Sequence, residues 1–362
     1  MKIQTWIVGI AVVTLSGVPA AAQSDAISWT LDRNVTPVAC DGCCDDCCGG
    51  CDGCDCGAGV GGGLCGFTLA GLLGMDNSGL DIGGWTQIGY HDNNTPLSFA
   101  RNDLGAFNDL PDQVNLHQQY LYLGREADGS RGLDIGGRVD FLYGTDAQKT
   151  QAFGNPGAQF RDQGTFDASL DHGDYGFAIP QLYGEVAIGD LSVIIGHFYT
   201  IVGYEVVTAP DNFFYSHSLT MFNSEPFTHT GVLTTYSAFD NITLYNGWTL
   251  GWDTGFDNAN GGNNYLGGVG IELTDALTFT YITTYGNFGM RDNGNDDSYS
   301  HSCVLTAGLT DNLQYVLQSD YVRIDNPGGG ILQDPIGPNQ YLFFRLTAAI
   351  AMSGRMEWWQ AD

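Results

Sequence analysis

The feature of this sequence that most constrains its fold is a unit repeated from Leu80 onward. Each unit contains a segment of about ten residues in which apolar and polar side chains alternate, a brief turn, a second such segment and a long polar loop. A period of two is the pattern of a β-strand, and helical spacing is absent from these segments. The repeat therefore predicts an all-β chain of consecutive strands.

The alternation gives each segment one apolar face and one polar face. Four apolar faces are Leu277, Phe279, Tyr281 and Tyr285; Ile135, Val139, Phe141 and Tyr143; Leu313, Tyr315, Leu317 and Tyr321; and Leu342, Phe344, Leu346 and Ile350. One face could meet lipid and the other water. A sandwich of two sheets would show the same period, so alternation alone leaves both architectures open.

The lengths of the connections favour one architecture. Short connections fall at 126–130, 189–190, 240–241, 274–275 and 310–311, and long ones at 91–111, 145–179, 201–230, 253–264, 287–299 and 323–340. Membrane barrels combine short periplasmic turns with long outer loops, whereas a Greek-key sandwich has no reason to alternate the two. The sequence predicts a transmembrane up-and-down antiparallel β-barrel of about twelve or more strands.

The end of the sequence predicts one further strand. About twelve strands are expected between Leu80 and Ala351, and residues 355–359 have the pattern of the start of another. Single-chain bacterial barrels use an even number of strands, so we expect the chain to be truncated at its C-terminus. Trp358 and Trp359 are alternatively explained as part of an interfacial aromatic girdle.

The N-terminus has the pattern of a signal peptide. Lys2 precedes an apolar stretch over 6–15, and the small residues at 20–22 suit cleavage near Ala22. The stretch is too short to span a bilayer as a helix, and no later segment offers about 20 consecutive apolar residues. The predicted organisation is a signal peptide over 1–22, a Cys/Gly/Asp-rich linker over 23–78 and an outer-membrane barrel over 79–362.

Nine of the ten cysteines lie in the predicted linker. They are Cys40, Cys43, Cys44, Cys47, Cys48, Cys51, Cys54, Cys56 and Cys65. Because the chain is predicted to be exported, disulfides are favoured over a zinc site, and an unstructured acidic linker is the other alternative. The odd count leaves one thiol for an intermolecular bond, for Cys303 or for none.

Charge limits the classes of partner. The sequence has 41 Asp and Glu against 12 Lys and Arg, a formal net charge of −29. This argues against binding to nucleic acid or to anionic lipid through basic patches and favours cations, although acidic loops also serve solubility. The expected partners are outer-membrane lipid, small solutes or cations and a second copy of the chain, with no cofactor and no metal.

Several stretches resemble the putative β-barrel porin-2 (OmpL-like) family of bacterial outer-membrane proteins, over most of the chain from about Gly83. They are NLHQQYL at 115–121, GGRVDFLYGTDA at 136–147, PQLY at 180–183, GYEVV at 203–207, APDNFFYSHS at 209–218 and EPFTHTG at 225–231. The resemblance implies an outer-membrane barrel with pore activity and supplies no substrate or catalytic residue. The end soon after Trp359 and the dense cysteine run depart from the family pattern.

The long connection 201–230 is predicted to narrow the pore. Phe213, Phe214 and Phe222 make it too apolar for a freely solvated coil, so it is expected to fold into the lumen. Glu205, Asp211 and Glu225 would then supply negative charge that favours cations. The alternative is a loop packed over the outer rim or against a neighbouring protomer.

Charged residues on the strands are further lumen candidates, because charge facing lipid is costly. By parity they are Asp134, Arg138, Asp140, Glu185, Asp320 and Arg345. Their alternative role is to form lateral ion pairs that brace the wall, which we favour for Arg138 and Arg345.

An enzyme is the main rival class. His197, His217 and His229 lie in or beside the same long connection as Ser216 and Ser218. None lies in a nucleophile motif such as GxSxG, and the acidic run at 292–297 misses EF-hand spacing. The predicted function is a porin-like channel for passive diffusion of small hydrophilic solutes or ions, favouring cations. The alternatives are a cell-envelope structural or adhesin barrel cross-linked through its cysteines and, less favoured, a barrel hydrolase.

Overall fold

A computed structural model describes residues 3–14, 79–92, 107–108, 110–153, 167, 170–291, 297–325, 331–333, 336–347 and 350–361. The cysteine-rich segment 40–65 and most of the acidic run 292–297 lie outside these residues. In the part described, no helix is both long and apolar enough to cross a membrane.

The strands are β1 (Ile3–Thr14), β2 (Asp81–Tyr90), β3 (Val114–Arg125), β4 (Asp134–Gly144), β5 (Gly176–Ile188), β6 (Leu191–Tyr199), β7 (Thr228–Phe239), β8 (Ile242–Thr249), β9 (Asn263–Thr274), β10 (Leu277–Asn287), β11 (Ser298–Thr310), β12 (Leu313–Asp325), β13 (Ile331–Gln333), β14 (Ile336–Thr347) and β15 (Ile350–Ala361). Two short α-helices are α1 (Ala147–Thr150) and α2 (Leu219–Ser224). Single 3-10 turns lie at Gly129–Arg131, Ala209–Asp211, Ala259–Gly261 and Gly289–Arg291.

The main strands form one antiparallel sheet in chain order. Each strand from β2 to β12, and then β14 and β15, pairs with the next, while β13 is a short addition to β12. This up-and-down barrel confirms the predicted fold class, with twelve strands of the main sheet among the described residues between 81 and 347. The expected thirteenth, β15, already begins at Ile350.

The N-terminal segment occupies the edge of β15. Residues 3–14 form β1 and pair antiparallel with 350–361 in a continuous register. This is the stretch predicted to be a signal peptide, and its removal stays a prediction.

The strands separate an outward face from an inward one, as the alternation predicted. Outward apolar side chains that remain well exposed include Ile135, Phe141, Leu182, Val186, Ile195, Val232, Leu342 and Phe344. Inward positions of the sheet are buried, among them Asp140 on β4, Tyr120 on β3 and Gln318 on β12. A band of exposed apolar side chains on the outer face of such a sheet is the surface that lipid requires. Cys303 lies on the outward face of β11 and forms no disulfide within the described part of the chain.

The inward face packs against the connection between β6 and β7, called here the lumen loop (residues 200–227). Three apolar clusters join the loop to different parts of the wall: Val207, Met221 and Phe227 with Tyr120 and Leu142; Val202 with Phe198, Leu266 and Ile282; and Phe214 with Val316, Tyr341 and Phe343. Burying a large apolar side chain contributes about 1.5–3 kcal/mol, so these contacts together hold the loop inside the barrel. The lumen loop is therefore a fixed part of the interior.

Candidate functional site in the barrel lumen

The two ends of the lumen loop are hydrogen-bonded to each other where the loop joins the wall, and we call this junction the neck. The Thr200 N–H donates to the Phe227 carbonyl at 2.9 Å. The Asp253 carboxylate accepts the N–H groups of Phe227 at 2.6 Å and Thr228 at 3.1 Å. Arg291 pairs with the same carboxylate at 2.6 Å. Because both ends are held together, residues between them can fold inward as one unit.

Glu205 fixes one side of the loop to the wall. Its carboxylate accepts from Arg355 on β15 at 2.8 Å, from the Tyr341 hydroxyl at 3.1 Å and from the Ser218 N–H at 2.6 Å. Glu205 and Arg355 are both buried. The predicted pore carboxylate is thus neutralised by a buried cation.

Glu225 fixes the other end of the loop. The Gln318 amide on β12 donates at 2.6 Å to both Glu225 and Asp320, and both acids are buried. Burial above all, and then the neighbouring Asp320 charge, raise the pKa of Glu225 well above its ordinary 4.5. Glu225 is therefore a buried acid that shares its amide donor with Asp320.

Helix α2 lies flat on the inner wall. Its N-cap Ser218 accepts the Met221 N–H through Oγ at 3.1 Å. The Leu219 N–H donates to Glu357 at 2.8 Å, and the Trp359 indole donates to Ser224 at 2.9 Å. Sequence reasoning missed Glu357 and Arg355 as partners of the loop, although their alternation with outward residues in 355–359 carried the signal.

Asp211 differs from the other two loop carboxylates because its side chain is exposed. It ends the 3-10 turn Ala209–Asp211, and Thr208 donates to it through its hydroxyl. Partial desolvation raises the pKa of Asp211, while the Thr208 hydrogen bond and the Arg138 charge act in the opposite direction. The loop thus presents one accessible acid within electrostatic reach of the wall at Arg138.

Arg138 belongs to a braced cluster on that wall. It pairs with Asp140 through Nε at 2.7 Å and lies 4.7 Å from the Tyr122 ring centre. Asp140 also accepts from the Tyr120 hydroxyl at 2.6 Å and from Gln181 at 2.7 Å. This is the geometry of a lateral ion pair.

The remaining wall candidates lie away from the lumen loop. Asp134 pairs with Arg125 at 2.9 Å beside the short turn before β4. Glu185 accepts from the Ala127 N–H at 3.1 Å and from Ser192 at 2.7 Å near the next short turn. Arg345 is on the inward face at the short-turn end of β14. The structure does not bring these three together with Asp211.

The residues considered for hydrolysis have structural partners. Ser218 caps α2, and Ser216 accepts from Arg355 at 3.0 Å. His217 contacts the Val206 carbonyl at 3.0 Å, and His197 contacts Thr230 at 2.7 Å. His229 contacts Thr200 at 3.0 Å. Each of these residues therefore has a hydrogen-bond partner in the lumen loop or the adjoining strands.

A lipid-facing barrel with an inward-folded loop defines an outer-membrane protein of the porin-like channel class. The family model described as putative beta-barrel porin-2, OmpL-like, matches residues 79–362, and the chain belongs to that family. No curated protein matches the chain.

Solved porins are distant in sequence and backbone. A triply substituted Rh. blastica porin is 11% identical with a TM-score of 0.38, over 78% of this chain and 99% of that one. Pseudomonas aeruginosa OpdL is 16% identical with a TM-score of 0.37, over 67% of this chain and 60% of that one. Salmonella typhi OmpF, solved with daunomycin, is 11% identical with a TM-score of 0.33, over 78% and 97%.

Proposed function

We propose that this protein is a passive diffusion channel for small hydrophilic solutes or ions, that it favours cations, and that it is not an enzyme. The observation that carries the proposal is the inward-folded loop with Asp211 as its exposed carboxylate. Negative groups at a constriction favour cations. The net charge of −29 is also negative, and it therefore favours cations as well.

The three loop carboxylates are proposed to have two different roles. Glu205 is paired with Arg355, and Glu225 shares Gln318 with Asp320, so these two hold the loop against the wall. Asp211 alone of the three stays accessible to a passing ion. Selectivity is therefore assigned to Asp211.

The test is the reversal potential of the purified protein in a planar bilayer under a salt gradient. We expect discrete conductance steps and a cation-selective potential, which Asp211→Asn moves toward zero. Asp128→Asn is the matched control, because Asp128 is an exposed acid at a short turn. A correctly folded, heat-modifiable barrel without conductance would contradict the channel.

The N-terminal region is proposed to be processed before assembly. Residues 1–22 are assigned to a signal peptide and 23–78 to a disulfide-containing linker. Intact-mass measurement of protein extracted from outer membranes should give an N-terminus near Gln23. Retention of Lys2 in the assembled protein would instead make β1 a permanent strand beside β15.

A further inference from the structure

Two consecutive residues of β3, His117 and Gln118, are both buried inside the barrel. Strict alternation would send one of them outward. The register between β2 and β3 shifts here, since Gln87 pairs with Gln118 and the next residue, Ile88, pairs with Leu116. His117 is the extra residue of a β-bulge, a device that re-aims side chains.

The Gln118 amide uses all four of its hydrogen-bonding positions. Its Nε2 donates to the Val207 carbonyl at 2.7 Å and to Asp146 at 2.9 Å. Its Oε1 accepts from the Ala209 N–H at 3.1 Å and from the Trp85 indole at 2.9 Å. A fully satisfied buried amide fixes its partners in one arrangement, and two of those partners belong to the lumen loop.

His117 holds a second point of the same loop. Its Nε2 lies 2.5 Å from the Tyr215 hydroxyl, and its Nδ1 lies 3.2 Å from Asp146. The two oxygens of Asp146 thus contact His117 and Gln118 separately. Along the loop, the two points that β3 holds lie on either side of Asp211.

Hydrogen bonds within the loop itself also hold residues 206–212 together. Asn212 accepts the Val206 N–H at 3.1 Å and donates to the Val206 and Thr208 carbonyls. These bonds close residues 206–212 into one unit that contains the turn Ala209–Asp211. Whatever holds this unit to the wall therefore sets the position of Asp211.

We propose that His117, Gln118 and Asp146 form a clamp that positions the Ala209–Asp211 turn and thereby sets the ion selectivity of the channel. These are positioning residues that act through Asp211, so the inference rests on the proposed function. The bulge is the element that makes the clamp, because it brings two adjacent side chains to one face.

The test compares Gln118→Leu with Gln119→Leu in the full-length barrel. Gln119 is the matched control because it is the next residue and bonds to Thr86 and the Trp85 carbonyl instead of the loop. Hydrogen exchange should report loop position without requiring conductance. We expect Gln118→Leu to accelerate exchange across 206–212 roughly tenfold.

The second readout is the reversal potential. In Gln118→Leu the cation-over-anion permeability ratio should fall roughly fivefold, as expected when a unit charge near the ion path moves away into water. Gln119→Leu should change neither readout. If Gln118→Leu does not fold, Tyr215→Phe removes the loop hydroxyl that contacts His117 of the clamp and should move both readouts in the same direction.

Two results separate the clamp from the channel itself. A selectivity that Asp211→Asn lowers and Gln118→Leu leaves unchanged overturns the clamp and retains the proposed function. If Asp211→Asn has no effect, the assignment of Asp211 fails and exchange alone tests the clamp. Faster exchange in Gln118→Leu then supports the positioning of the turn by the clamp and overturns its control of selectivity through Asp211, and unchanged exchange overturns both.

Discussion

At the scale of single residues, environment gives similar carboxylates different roles. Glu205 is paired with Arg355, Glu225 is buried and its pKa is raised, and Asp211 remains exposed. Sequence reasoning grouped the three because they share one loop. Their separation depends on which wall residue each one meets.

Arg355→Met should strongly lower the free energy of unfolding of the protein. It leaves the buried Glu205 carboxylate and the partly buried Ser216 carbonyl without the guanidinium that contacts them at 2.8 and 2.6 Å. Breaking a buried ion pair costs about 3–5 kcal/mol. The free energy of unfolding by urea in lipid vesicles measures the loss. Arg345→Met, at a partly exposed arginine on β14, is the control and should change it by less than about 0.5 kcal/mol.

Adding Glu205→Gln to Arg355→Met should recover part of the lost stability, because the double variant no longer buries an unpaired charge. A double variant as unstable as the sum of both single variants would show that the pair does not interact.

Glu225→Gln should change the pH dependence of stability. A raised pKa means that the folded state binds a proton more tightly than the unfolded chain, so this contribution to stability falls as pH rises above about 4.5. The negative charges of Asp320 and Glu205 also raise the pKa of Glu225. The variant is neutral at every pH and should gain stability relative to the parent as the pH rises above about 4.5. Parallel pH profiles from urea unfolding would count against the assignment.

At the scale of elements, strands follow their local pattern, whereas the lumen loop depends on contacts from distant parts of the chain. Its neck relies on Asp253, its helix on Glu357 and its turn on Gln118. None of these partners is close to the loop in sequence. The loop is therefore the element that single substitutions should disturb most selectively.

Gly203→Ala should displace the end of the loop. Gly203 has φ +87°, and an added Cβ would lie 2.0 Å from the Glu225 carboxylate. Strain at such a position costs about 1–3 kcal/mol, and Gln318 leaves Glu225 little freedom to move. Gly184→Ala is the control, since its Cβ would meet no atom within 4 Å. Both variants can be compared by urea unfolding, and equal losses would argue against close packing at Gly203.

At the scale of the whole molecule, lipid outside the barrel and water inside it determine which side chains each face of the sheet can carry. Leu182 faces outward and is 42% exposed, while its neighbour Gln181 reaches Asp140 inside. Leu182→Arg should cost about 2–4 kcal/mol if this position lies near the bilayer midplane. Gln181→Arg should assemble normally because the lumen tolerates charge. Heat-modifiability after refolding into vesicles compares them, and equal assembly would contradict the assignment of faces.

The sequence by itself determined the class of fold. The period of two, the alternation of short and long connections and the approximate strand positions are local properties, because neighbouring strands in an up-and-down barrel are also neighbours in sequence. Even the inward folding of residues 201–230 was predicted from Phe213 and Phe214, whose apolar rings cannot stay in water.

Only the tertiary structure decided what lies opposite each loop residue. The pairing of Glu205 with Arg355, the shared amide between Glu225 and Asp320 and the bulge that turns His117 and Gln118 to one side join positions far apart in sequence. Such contacts depend on register and on the path of the loop through the lumen, and a side-chain period of two contains no information about either.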